Sequence, residues 1–169
     1  MKFIIPSILF ITAIFMSGCS SKTSRDYMMA AHESMMKKNI PEAISNYETV
    51  VKDFPGSEDA PEALFQIGSL YQNKMVENIS EKETYQKASE IFRQLFDKYP
   101  NHKKAPMALF LSGFILANDL KNYDAATSTY NLFLKKYPEN ELASSAKEEL
   151  DNMGLSPDQI LQKKASKNI

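Results

Sequence analysis

One cysteine, two histidines and two groups of glutamates are the side chains of this sequence with chemistry to offer. Cys19 is the sole thiol, so an internal disulfide is excluded and an exported protein would need some other use for it. His32 and His102 stand far apart, and no cysteine or paired carboxylate lies beside either at ligand spacing, which argues against a metal site. Glu81, Glu83 and Glu90, and the pair Glu148 and Glu149, group carboxylates as an acid–base site would. On helices such groups ordinarily form solvated faces that complement nearby lysines. No Ser-His-Asp order, nucleophile elbow or His-Glu-x-x-His is present. The expectation is a protein that is not an enzyme, with no catalytic residue, no metal and no cofactor.

Composition narrows the partners. With 169 residues, 43% hydrophobic and 24% charged, the chain has the balance of one ordinary globular domain. A net charge of −1 gives no field that would recruit nucleic acid, and basic residues never run longer than two, so nucleic acid is not expected as a partner. The glycines are all accounted for by turns, helix positions and the approach to Cys19, leaving none for a phosphate loop.

The elements that must position anything functional are read from a pattern repeated three times. Around an alanine it places an aromatic or apolar residue three before, a ring four after, apolar residues seven and eight after, then an aromatic-Pro pair. The copies are Ile40-Ala43-Tyr47-Val50-Val51-Phe54-Pro55, Tyr85-Ala88-Phe92-Leu95-Phe96-Tyr99-Pro100 and Tyr123-Ala126-Tyr130-Phe133-Leu134-Tyr137-Pro138. Spacings of three, four, seven and eight trace one face of a helix, and each proline marks its end. Each proline is followed by an alanine pair, Ala60/Ala63, Ala105/Ala108 and Ala143/Ala146, which opens a further helix. Gly68 and Gly113 then fall at matching offsets, where a small residue lets a neighbouring helix approach closely. An extra stretch between the first and second copies, roughly 76–82, reads either as two added helical turns or as a polar loop. The class is all-α: a repeat array of three helix pairs, with Ala143 to Asp151 opening a terminal cap and a last helix starting at Ser156-Pro157-Asp158.

Residues 1–18 run from Met-Lys through an apolar stretch, Phe3 to Met16, to Ser17-Gly18 before Cys19. About 14 residues are too few to cross a bilayer core of roughly 30 Å but suit the apolar region of a signal peptide. A short membrane anchor or buried N-terminal helix is the alternative. Met16-Ser17-Gly18-Cys19 resembles the lipobox of bacterial lipoproteins, which implies that Cys19 is lipidated and becomes the first residue. The absence of an aspartate after it implies, by the same resemblance, the outer membrane facing the periplasm. Ser20 to Ser24 would reach less than ~18 Å at about 3.5 Å per residue, so the domain would sit close to the lipid.

The paired-helix order of small residue, aromatic, alanine, aromatic and proline resembles the tetratricopeptide repeat. It is similar in particular to outer-membrane lipoproteins of the BamD type and to the C-terminal repeats of the Tol-Pal coordinator CpoB. The implied division is a signal peptide at 1–18, lipidated cysteine and tether at 19–24, a repeat domain at 25–155, and a C-terminal capping helix and frayed tail at 156–169. The resemblance implies an envelope interaction scaffold whose partners are other envelope proteins, with an outer-membrane β-barrel assembly complex first among them. A regulator of cell-wall or Tol-Pal function is the alternative, and a lipid or small-ligand carrier a third reading. Carrying the family's groove positions across selects Met28, His32 and Met35, then Glu62, Phe65, Ser69 and Gln72, then Met107, Phe110, Phe114 and Ala117. Phe65, Phe110 and Phe114 would form an apolar stripe for an amphipathic peptide, with adaptable methionines beside it. An aromatic stripe at this spacing equally fits a core in which the same rings pack inward.

Overall fold

The computed structural model describes residues 21–167, so Cys19 and the leader at 1–18 lie outside the described residues. The elements are α1 (Ser24–Met36), α2 (Ile40–Asp53), α3 (Asp59–Gln72), α4 (Glu81–Lys98), α5 (Ala105–Asn118), α6 (Tyr123–Lys136), α7 (Ala143–Asn152) and α8 (Pro157–Lys167). From α1 to α7 each helix packs on the next, and α1 also touches α3. Packing of each helix on its neighbours along the chain is that of a helical solenoid.

Local chemistry sets the boundaries. The second helix of each pair starts on a side-chain cap: Asn39 accepts from the Glu42 N–H, Ser80 from Glu83 and Asn122 from Ala125. Each ends one residue before its aromatic-Pro pair, where the ring residue's N–H still bonds back into the helix and the proline cannot. The turn that follows is the same three times. Ser57, His102 and Asn140 donate to the carbonyls of Phe54, Tyr99 and Tyr137, and Ala60, Ala105 and Ala143 then donate back to them. The helices that follow need no side-chain cap, because the turn itself feeds the backbone into α3, α5 and α7.

The threefold pattern is the core. Ala43, Tyr47 and Val50, Ala88, Phe92 and Leu95, and Ala126, Tyr130 and Phe133 are fully buried, facing the alanine pairs of the following helices. Gly68 lies beneath Phe92 and Gly113 beneath Tyr130, where an added Cβ would come within 2.8 Å and 3.0 Å of the rings. A second repeat-specific contact joins the turns. The Tyr99 hydroxyl donates to the Pro55 carbonyl at 2.9 Å, and the Tyr137 hydroxyl donates to the Pro100 carbonyl at 2.7 Å. Phe54 stands at this position in the first copy, which has no earlier proline turn among the described residues.

The extra residues between copies one and two are shared between both expected outcomes. α4 has 18 residues where α2 and α6 have 14, and its connection to α3, residues 73–80, is longer than the 119–122 connection between α5 and α6. The longer loop is tied down by the Lys74–Glu81 ion pair and by Lys74 lying over the Tyr85 ring at 5.2 Å.

At the C-terminus α7 takes the capping place, burying Ala143 and Ala146 against the core. α8 lies beside it, joined by the Lys164–Glu148 ion pair at 2.8 Å and by Lys163 donating to the Asp151 carbonyl. Its Leu161 remains 66% exposed, so α8 adds little apolar burial to the stack.

Candidate functional site

The first helices of the pairs, α1, α3, α5 and the cap α7, form one row. Polar contacts between successive members tie them: Ser24 donates to Asp59 at 2.7 Å, Lys104 pairs with Glu62 at 3.1 Å, and Asn118 donates to Glu149 at 3.2 Å. The expected groove residues lie on α1, α3 and α5 of this row.

The structure sorts those residues into three depths. Met28 and Ala117 are core, 7% and 5% exposed, and cannot line a surface. Met28 packs in the cluster of Ala31, Ala43 and Tyr47, because its place on α1 faces α2. Phe65 and Phe110 are half-buried. Phe65 packs on Phe92 with ring centroids 5.5 Å apart, and Phe110 on Tyr130 and Phe133 at 5.6 and 6.0 Å, while each keeps part of its ring outside. Phe114, Gln72, Met35 and Ser69 are half-buried, and His32 and Met107 are exposed. Phe65 and Phe110 thus pack against the core and still leave part of each residue accessible.

Two residues of this face were not singled out from the sequence. Leu111 lies half-buried one turn before Phe114, and the spacing of three between them was the available signal. Lys104 reaches from the start of α5 over the Phe65 ring, 4.1 Å from its centroid, while paired with Glu62. That contact could not be read from residues 39 apart with no repeat partner. It fixes the Phe65 ring and supplies a cation at the edge of the apolar stripe, worth about 0.5–1 kcal/mol where exposed and more where desolvated.

Other clefts serve less well. Ile40, Pro41, Ile44, Tyr71, Met75 and Val76 line a cleft of about 400 Å³ beside the longer loop, with Lys38, Glu77 and Asn78 at its rim. Among the described residues no group of three or more His, Cys, Asp or Glu side chains could hold a metal ion, and no helix is long and apolar enough to cross a membrane.

One buried polar atom lacks a partner. The Tyr130 hydroxyl makes no hydrogen bond among the described residues, and burial, with the Glu149 carboxylate adding to it, raises the phenol's pKa well above its ordinary value. An unsatisfied buried hydroxyl costs roughly 1–3 kcal/mol. Tyr130→Phe keeps the ring over Gly113 and removes the cost, so thermal unfolding should rise by about 3 °C for each kcal/mol recovered. An unchanged or lower midpoint would mean that the hydroxyl is bonded in solution.

Residues 62–102 and 107–140 match the model of the tetratricopeptide repeat family. The chain carries tetratricopeptide repeats. The matched stretches begin inside α3 and α5 and run through α4 and α6, so each unit is the helix pair bounded by the proline turns. Outside them, α1 and α2 form a pair with the same core positions, although Ala31 and Met28 stand where the repeats place glycine and phenylalanine. No curated protein matches the chain. Tetratricopeptide repeats imply a scaffold for protein–protein interaction and are in general non-enzymatic.

Proposed function

We propose that the protein is a lipid-anchored scaffold of the bacterial envelope, facing the periplasm from the outer membrane, that holds a partner against the α3–α5 face. The observation that carries the reading is the paired depth of Phe65 and Phe110: rings locked from behind by Phe92 and Tyr130 present an apolar stripe that costs little ordering when a partner docks. Phe114, Leu111 and Met107 extend the stripe along α5. An amphipathic segment of a partner protein is the chemistry it fits.

The start of α1 supports the anchored orientation. Thr23 caps α1 in a box with Asp26, and Ser24 bonds Asp59 at the beginning of α3, so the chain enters at the edge carrying the Pro55 turn. The Tyr99–Pro55 and Tyr137–Pro100 bonds align the later turns along that edge. With Cys19 lipidated, four residues before Thr23, the proline turns would lie nearest the lipid and the far ends of the pairs would point away. The partner class follows from the resemblance to BamD-type lipoproteins: proteins that assemble outer-membrane β-barrels.

A photocrosslinking residue placed at Met107 or Phe114 in the full chain in intact cells tests both parts. Capture of a barrel-assembly protein is the expected result. Capture of a peptidoglycan synthase would move the protein to the cell-wall or Tol-Pal role instead. Capture only from a control position on the opposite helices, such as Glu48, would overturn the face itself.

A further inference from the structure

The segment Met28-Met29-Ala30-Ala31-His32-Glu33-Ser34-Met35-Met36 places a methionine at all four positions three and four residues either side of one histidine. On a helix these four positions are a residue's nearest surface neighbours. They fall on two flanks, because −4 and +3 project to one side of the central residue and −3 and +4 to the other. In α1 the two flanks have opposite fates. Met28 is core, and Met35 is half-buried with the Tyr47 hydroxyl 3.8 Å from its sulfur. Met29 and Met36 are 65% and 87% exposed, beside an exposed His32 whose ring is held edge-on by Tyr47 at 5.9 Å. The outer methionines contribute little to packing at those exposures, and leucine would serve an apolar contact as well.

We propose that Met29, His32 and Met36 form a binding site for copper(I). Two thioethers and an imidazole are soft, neutral donors, a set that suits copper(I) and gives little to magnesium or calcium, which take oxygen ligands. Structural zinc prefers thiolate or several imidazoles, and neither is present on α1. Glu33, the carboxylate next to His32, is held by Lys37 at 2.7 Å, which leaves the outer flank to sulfur and nitrogen. The histidine is anchored by the core through Tyr47, while the two methionines have the freedom to close on an ion from either side. The step is binding alone: the metal arrives and stays as copper(I), and no electron is transferred. The donors beside His32 on α1 are thioethers rather than thiols.

The test uses the full chain under anaerobic, reducing conditions, with copper(I) supplied as its bicinchoninate complex. One equivalent should leave the chelator for the protein. Met29→Leu with Met36→Leu keeps helix propensity and apolar area, and should weaken copper(I) binding more than ~100-fold, beyond the 10–100-fold lost with a supporting contact. Met35→Leu should leave affinity unchanged. Silver(I), a redox-inert probe of the same softness, should shift the methyl resonances of Met29 and Met36 and the ring resonances of His32. The proposal is overturned if the parent chain takes no copper, if the double variant binds as the parent does, if zinc(II) binds more tightly than copper(I), or if binding disappears only with Cys19→Ser.

Discussion

Phe92→Ala should cost the fold about 3–5 kcal/mol, a large part of the 5–15 kcal/mol that a domain of this size has to lose. Phe92 is fully buried at the centre of the array, facing α3 below and α5 behind, and its ring closes on the Gly68 backbone. Truncation would leave a void bordered by Gly68, which has no side chain to fill it, and by Phe65, whose ring would lose its support. The complementary change makes the same point from the other side. In Gly68→Ala the new methyl would lie 2.8 to 3.1 Å from three ring atoms of Phe92. The ~1 kcal/mol that alanine gains over glycine in a helix is set against overpacking that typically costs 1–3 kcal/mol, so a net loss is expected. Denaturant unfolding of both variants checks this. If Gly68→Ala is as stable as the parent, the ring moves more freely than a filled core permits. Combining Gly68→Ala with Phe92→Leu should recover part of the loss, because the smaller side chain yields the space.

The second large effect separates two rings that look alike in the sequence. Phe110→Ala should destabilise the protein by at least ~2 kcal/mol, because the ring packs on Tyr130 and Phe133 as well as facing outward. Phe114→Ser should leave the unfolding midpoint close to that of the parent and instead weaken partner binding by tenfold or more, the signature of a central anchor in an interface. The measurement is a pair of thermal unfolding curves beside the yield of crosslinked partner from a probe at Met107. The division fails if Phe114→Ser unfolds the domain as Phe110→Ala does, since Phe114 would then be core, and it fails if partner capture is unaffected. These two outcomes are distinguishable in one experiment.

Much of the fold was legible because repetition writes the same physical requirement three times. The Ala-aromatic-Val/Leu/Phe spacing can only be one buried helix face, and all nine of its central positions proved fully buried. The aromatic-Pro pairs had to be helix ends because proline supplies no N–H, and α2, α4 and α6 stop one residue short of them. The glycine offset was readable as close approach, and the rings that require it are Phe92 and Tyr130.

Less of the candidate site was legible, because a site depends on contacts between units and the periodicity describes one unit. Met28, Phe65 and Phe110 occupy equivalent places in their helices, yet one is sealed in the core and two are shared between core and surface. Lys104 over Phe65 and Asn118 on Glu149 join neighbouring helices through side chains with no counterpart in the other copies. How the extra residues between copies one and two divide between helix and loop was likewise a tertiary matter, settled by where Lys74 finds Glu81 and Tyr85.

By itself, then, the sequence determined that this chain is a stack of tetratricopeptide-like helix pairs, since helical period and proline chemistry are local and leave no other arrangement for its apolar residues. It also determined the lone Cys19 on which the anchoring proposal stands. Only the tertiary structure decided which of the repeated rings remain accessible, that the turns are bonded tyrosine to proline along one edge, and that Met29 and Met36 are left outside with His32. Exposure is set by what the neighbouring helix covers, and a helix cannot state from its own residues how far its neighbour extends.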